Sequence, residues 1–281
     1  MQIPVNTPLA ALALLLAAIS FFAPPLAAQQ DTTPGWPLHD SSPTHATADV
    51  GGAMPSDFPD DSEDPCLLWA SGEHQGIVVN AASFQIPDRA RDEYKKGCSD
   101  LKAKKYDSAE AHLRNAVKQY SQYSAAWALL GQILAAAKRL EDARDACSQA
   151  TTVDAGYAPG YLCLADVAGQ QNDWQKTLDF ADRALALQPN ENAYAHLYTA
   201  MAQFHTNLIE EAKRNAQEAI AADHHRHIPQ AHLLLAQIYG ADHDLDNAAR
   251  ELRAYLKAAP KAPDAPAVRD SLAQLEAQNQ K

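Results

Sequence analysis

The residues with the clearest chemical potential are His224, His225 and His227, which share one run with Arg226, with His232 and His243 close behind. Neutral imidazoles ligate Zn²⁺, Cu²⁺ and Ni²⁺, and short His-rich tracts can hold such ions. Adjacent histidines in a loop rarely close a four-ligand site. These three are therefore candidate metal ligands beside the plainer reading of a solvated loop, one that turns more cationic below a pKa of about 6.5. Asp57, Asp60, Asp61, Glu63 and Asp64 form an acidic cluster that could attract Ca²⁺. The cluster lacks the alternation of a calcium loop and reads as a solubilising linker. No G-x-S-x-G, H-E-x-x-H, phosphate-binding loop or dinucleotide fingerprint occurs. The expectation is a protein that is not an enzyme and uses no cofactor.

These residues sit in a chain of 281 residues with a net charge of −12, which disfavours nucleic acid as a partner. Alanine is abundant and only 11 residues are glycine, which suits a helical array rather than a sandwich or barrel. Four cysteines allow at most two bridges, too few for a disulfide-rich scaffold.

Leu9 to Ala23 form an apolar run of about fifteen residues, ending at Pro24-Pro25-Leu26-Ala27-Ala28. A secretory leader has this form, although its usual Lys or Arg is absent here. Residues 1–28 are read as a signal peptide cut after Ala28. The alternative is a retained anchor, but a span needs about 20 apolar residues and Pro24-Pro25 interrupts this one. No other stretch is long enough to cross a bilayer, so the mature chain is expected to be periplasmic or secreted, with no membrane span. Residues 29–65, rich in Pro, Ser, Thr, Asp and Gly, read as a disordered linker. Residues 66–88 read as a short extended prelude, with Phe84 and Ile86 alternating against polar neighbours. Pro87 keeps its predecessor out of helix, and Asp88 is the expected cap of the first helix. The prelude either covers the edge of the first helices or lies along their inner face.

The elements that follow are read from residues 124–157. Trp127, Leu130 and Leu134 fall at i, i+3 and i+7, one face of a helix A. Gly131 and Ala143 are small where a helix B crosses it. The pattern restarts near Ala90, Ser124, Ala158, Ala193 and Pro229. The small place on helix A is Gly97, Gly131, Ala165, Ala200 and Ala236. Helix B supplies Ala109, Ala143, Thr177, Ala212 and Ala248, then Ala116, Ala150, Ala184, Ala219 and Tyr255. All but Thr177 and Tyr255 are Gly or Ala, a regularity that composition alone does not produce. A lone helix pair cannot cover its own apolar face, so the copies must stack. Five repeats are expected over residues 89–262, at about 90–123, 124–157, 158–191, 193–226 and 229–262. Asp107 with Glu110 and Asn207 with Glu210 have capping-box spacing for helix B of repeats one and four. Pro159 and Pro229 suit a first helical turn. In residues 263–281, Val268, Leu272 and Leu275 form one apolar stripe, as a capping helix requires.

This pattern resembles the tetratricopeptide repeat, a 34-residue pair of antiparallel helices, in the style of exported bacterial members of that family. The resemblance implies an all-α, right-handed superhelix of about five helix-turn-helix repeats with a C-terminal capping helix, eleven helices in total. It also implies a concave surface lined by places two, five, nine and twelve of each helix A. On that basis Arg91, Tyr94, Gln132, Asp166, Tyr194, Leu197, Met201, Phe204 and Gln237 are candidate partner-binding residues. Such a mostly neutral groove suits an extended or helical peptide with apolar anchors. The alternative is that Tyr194, Leu197 and Phe204 only pack the superhelix. Tyr94, Cys98 and Ala128 replace the Lys and Asn with which some members clamp a carboxylate, so that ligand class is not expected. Neighbouring repeats pack, so Cys147 could bridge Cys163 in an oxidising compartment, and Cys66 could bridge Cys98. Otherwise Cys147 is a small core hydrophobe. The leading expectation is a non-enzymatic scaffold binding a protein or peptide partner in cell-envelope assembly. The rivals are a metal-binding envelope protein using the histidine loop, or an accessory subunit of an envelope enzyme.

Overall fold

The computed structural model describes residues 86–189, 192–223 and 228–279. The signal-peptide, linker and acidic-cluster readings, most of the prelude with Cys66, and His224, His225 and His227 lie outside the described residues. Those described form eleven helices and no strand. Four pairs come first: α1 (Asp88–Lys102) with α2 (Tyr106–Gln119), α3 (Ser124–Ala136) with α4 (Leu140–Val153), α5 (Ala158–Gln170) with α6 (Trp174–Leu187), and α7 (Ala193–His205) with α8 (Ile209–Ala222). A fifth pair, α9 (Gln230–Ala241) with α10 (Leu245–Ala258), is followed by the single helix α11 (Ala265–Asn279).

Each B helix packs on its own A helix and on the next A helix, and α3, α5, α7 and α9 also touch in succession. An inner A helix is thus enclosed on several sides. This is why α3 and α5 are buried along most of their length, whereas α4 and α6 bury only one stripe. The small places sit at the crossings. Ala109, Ala143, Thr177 and Ala212 are fully buried, as are Ala116, Ala150, Ala184 and Ala219. A Cβ added to Gly131 would lie 2.5 Å from Cys147 Sγ and 2.7 Å from Cys163 Sγ, too close for any side chain. Thr177 fits among the alanines because its hydroxyl donates to the Asp173 carbonyl at 3.0 Å. Tyr255 breaks the small-residue rule where no further repeat follows. It is buried, and its hydroxyl donates to Asp264 at the entry to the capping helix. On α11, Val268 is buried and Leu272 and Leu275 are half-buried, and Arg253 of α10 pairs with Glu276 at 2.6 Å.

Every A–B turn has one geometry. Lys104, Lys138, Asn172, Asn207 and His243 occupy place fifteen of their repeats with φ between 56° and 63°. The next N–H then bonds back to the last turn of helix A, as in Lys105 N–H to the Asp100 carbonyl at 2.8 Å and Asp244 N–H to the Tyr239 carbonyl at 2.9 Å. This satisfies carbonyls that the helix end would leave unpaired. The turn also fixes the helix B N-cap at place sixteen: Lys105, Arg139, Asp173, Leu208 and Asp244. The two capping boxes expected from sequence are therefore absent. Asp107 falls inside the first turn of α2, Asn207 is the left-handed turn residue, and neither Lys105 nor Leu208 makes a side-chain cap. Where place sixteen is Asp it does cap, Asp173 accepting from Lys176 N–H and Asp244 from Asn247 N–H. Asp88 is likewise the first residue of α1 rather than its cap. Pro87 precedes it in extended backbone, and the Pro87 carbonyl accepts from Arg91 N–H at 3.0 Å.

Candidate functional site

Successive A helices place their repeat positions side by side, so the face implied by the sequence can be followed from repeat to repeat. At place two, Arg91 is exposed, Pro159 is buried, and Ala125, Tyr194 and Gln230 are half-buried. At place five, Tyr94 is half-buried, while Ala128, Leu162, Leu197 and Leu233 are buried. Place nine carries Cys98, Gln132, Asp166 and Met201, all buried, then half-buried Gln237. At place twelve, Leu101, Ala135 and Gly169 are buried, and Phe204 and Gly240 half-buried. The middle of the face is therefore enclosed and apolar, with more exposed positions towards its two ends.

Two polar side chains interrupt this enclosure, and they sit at the same place on α3 and α5. Gln132 and Asp166 are each 7% exposed. Gln170, one turn further along α5, donates from Nε2 to Asp166 Oδ2 at 3.0 Å, and Lys138 Nζ donates to Gln170 Oε1 at 3.2 Å. That relay orients the Gln170 amide and fixes the carboxylate through one oxygen. The Tyr198 hydroxyl also acts on this carboxylate and helps to lower its pKa, but no donor meets Asp166 Oδ1 in hydrogen-bond geometry, and none meets Gln132 Oε1. Burial pushes the Asp166 carboxyl up to about 6, against the opposing pull of Gln170, Tyr198 and Lys138. Burial, followed by the nearby Asp166 charge, holds the Tyr198 hydroxyl well above its ordinary range.

Aromatic side chains gather in repeat one and again where repeats three and four meet. The Tyr94 and Tyr123 rings lie 5.0 Å apart, and burial lifts the Tyr123 hydroxyl to about 12. Trp174 stacks on His205 at 3.8 Å, and Phe204 meets His205 edge-on at 5.7 Å.

Cys147 of α4 and Cys163 of α5 form a disulfide between repeats two and three, with Cα atoms 5.6 Å apart. Cys98 is disulfide-bonded too, and the partner expected for it, Cys66, is outside the described residues. His232 lies away from the A-helix face. Its Nδ1 bonds to Glu251 Oε2 at 2.8 Å, and it lines a cavity of about 300 Å³ with Asp223, Ile228 and Lys257. Among the described residues no group of three or more His, Cys, Asp or Glu could hold a metal ion. No described helix is long and apolar enough to cross a membrane.

Sequence reasoning missed a set of polar crossings between places four and twenty-three. Glu93 meets His112 at 2.8 Å, His196 meets Asn215 at 3.2 Å, and His232 meets Glu251. The recurring nineteen-residue spacing was the signal available for them.

Comparison with known proteins places this geometry. Residues 94–158 match the family model of the tetratricopeptide repeat. No curated protein matches the chain. Among solved structures, the chain is similar to TTC0263, a thermophilic protein of Thermus thermophilus with these repeats. The identity is 19%, the match covers 66% of this chain and 98% of that one, and the TM-score is 0.57. It is similar to a chain of the APC/C hetero-tetramer Cut9–Hcn1 at 16% identity, covering 69% and 38%, TM-score 0.64. It is also similar to PilW, a type IV pilus biogenesis factor, at 18% identity, covering 68% and 92%, TM-score 0.55. At these identities the likeness is one of fold. The matched segment carries the tetratricopeptide repeat, and the five helix pairs with their common turn share the fold of solved proteins that have it; members of that family are generally non-enzymatic scaffolds for protein partners.

Proposed function

We propose that this chain is an exported, non-enzymatic scaffold that holds a segment of a partner protein along its A-helix face, in the assembly of the cell envelope. The observation that carries the reading is the pair of enclosed, unbonded acceptors at place nine of consecutive repeats, Gln132 Oε1 and Asp166 Oδ1. A buried acceptor without a donor costs about 1–3 kcal/mol. A bound segment would remove that cost by presenting its own N–H groups. Leu197 and Met201 supply apolar contact alongside, and Arg91, Tyr94, Tyr194, Phe204 and Gln237 give the face polar and aromatic anchors. Export is supported by the apolar leader ahead of Ala28 and by the disulfide between Cys147 and Cys163, a bond that persists in oxidising compartments. The pilus biogenesis factor lends the fold alone. The envelope reading rests on the leader and the disulfide.

The test is capture from an envelope extract with the full chain as bait, wild type against a Tyr194→Ala/Phe204→Ala double variant. A partner retained by wild type and lost from the variant is the expected result. Equal capture by both baits, or none by either, would overturn the reading. Sequencing the N-terminus of the purified protein should find Gln29, and an intact Met1 would refute the leader assignment.

A further inference from the structure

We propose that the α3–α5 part of this face recognises a lysine-type side chain: Asp166 Oδ1 receives the ammonium, and Gln132 Oε1 receives a second N–H of the same ligand. The inference rests on the groove reading above and adds the chemistry of what enters it.

Three observations converge on an ammonium. Asp166 is a carboxylate on an enclosed face with no cation bonded to it, since Lys138 is engaged one step away on Gln170. A buried charge without a partner is costly, and its natural complement is a cation. Second, only one carboxylate oxygen is open. A guanidinium fork binds both oxygens in parallel, but Gln170 already occupies Oδ2. A compact ammonium needs one oxygen and suits Oδ1. Third, the same face carries Ala128, Leu162 and Leu197 at place five of the three central repeats. An aliphatic stem can lie along such residues while its charged head reaches an acceptor. The net charge of −12 favours the approach of a basic partner over an acidic one.

The test is a selection from a random peptide library against the full chain, followed by fluorescence anisotropy on a selected peptide. Selected peptides should carry a Lys among apolar residues. Replacing that Lys with norleucine, which keeps the stem and removes the charge, should weaken binding at least tenfold, and Asp166→Asn should do the same. Gln132→Leu should weaken it by a smaller factor, and Arg in place of Lys should bind less well than Lys. Asp166→Asn keeps the side-chain shape, so its thermal midpoint should equal or exceed that of wild type. Selected peptides without a basic residue, or a Lys peptide bound equally by Asp166→Asn, would overturn the proposal. Peptides that bind without Lys and are lost on Phe204→Ala would remove this proposal and leave the groove reading standing. Failure to enrich any peptide would remove both.

Discussion

Repeats two and three differ from repeats one and five at one crossing that all of them share. At places four and twenty-three, where the outer repeats pair helix A with helix B, the inner repeats carry Trp127 and Ala146, and Tyr161 and Phe180. The outer repeats place an acid against a histidine there, Glu93 with His112 and His232 with Glu251, each at 2.8 Å and in opposite order along the chain. Repeat four has a His196–Asn215 pair without a carboxylate. The inner pair of repeats is also joined by the Cys147–Cys163 disulfide. One scaffold thus has uncharged residues at this crossing and a covalent bond in its centre, and ionisable pairs at its ends. A solenoid tolerates this because each repeat contacts only its neighbours. The consequence is a centre whose crossings carry no ionisable pair and ends that respond to acid.

The largest effect should come from the centre. Removing the disulfide with Cys147→Ala/Cys163→Ala should cost about 3 kcal/mol by the loop-closure argument, read from urea unfolding. Gly131→Ala should cost about 1–3 kcal/mol because its Cβ meets both sulfurs, and much less once the sulfurs are gone. Equal cost in both backgrounds would break the link between the glycine and the disulfide.

Next comes the acid response of repeat one. The His112 hydrogen bond, then that of Lys96, pulls the Glu93 carboxyl down to about 2 from an ordinary 4.5. A depressed carboxylate stabilises the fold fully above its unfolded pKa, and this contribution fades as pH falls from about 4.5 towards 2. Glu93→Gln should cost about 1–2 kcal/mol at pH 7, where a hydrogen bond to a charged group is lost, and the difference from wild type should shrink below pH 4.5. Glu251 has the same sign. Burial pushes it up, but the hydrogen bond and charge of His232, with Arg250, bring it below the usual range. A difference that stays constant with pH would contradict the comparison.

Two smaller changes sharpen it. Leu208 is 45% exposed at the uncapped start of α8, so Leu208→Asp should stabilise the outer array by about 1 kcal/mol in thermal unfolding. The place-fifteen turn is common to every repeat, so Lys104→Gly and His243→Gly should each add about 0.5 kcal/mol by relieving a positive φ. Unequal gains would show that the turns are not equivalent.

The contrast between centre and ends marks how far the sequence could be read. The stacking was legible because its signal repeats: Gly131 and Ala143 have counterparts in all five units, and the composition leaves little else to build with. Tyr255 departs from the pattern because the neighbour of the last repeat is α11 rather than another helix A. The capping boxes were misplaced because place sixteen is set by the left-handed turn, which Lys104 does not advertise and which Asn207, read as a cap, itself occupies. The polar crossings were hidden because partners nineteen residues apart belong to no local motif, and His232 drew attention to the histidine run instead of to Glu251. At the candidate site, types and places were readable. The freedom of one oxygen on Asp166 depends on where Gln170 points, and no spacing encodes that.

Binding along the A-helix face is tested most directly by hydrogen exchange of the full chain, alone and with its captured partner. Exchange should slow along α3, α5 and α7, centred on Gln132, Asp166 and Leu197. Protection confined to the outer helices α2, α4, α6, α8 and α10, with the A helices unchanged, would contradict a groove built on that face.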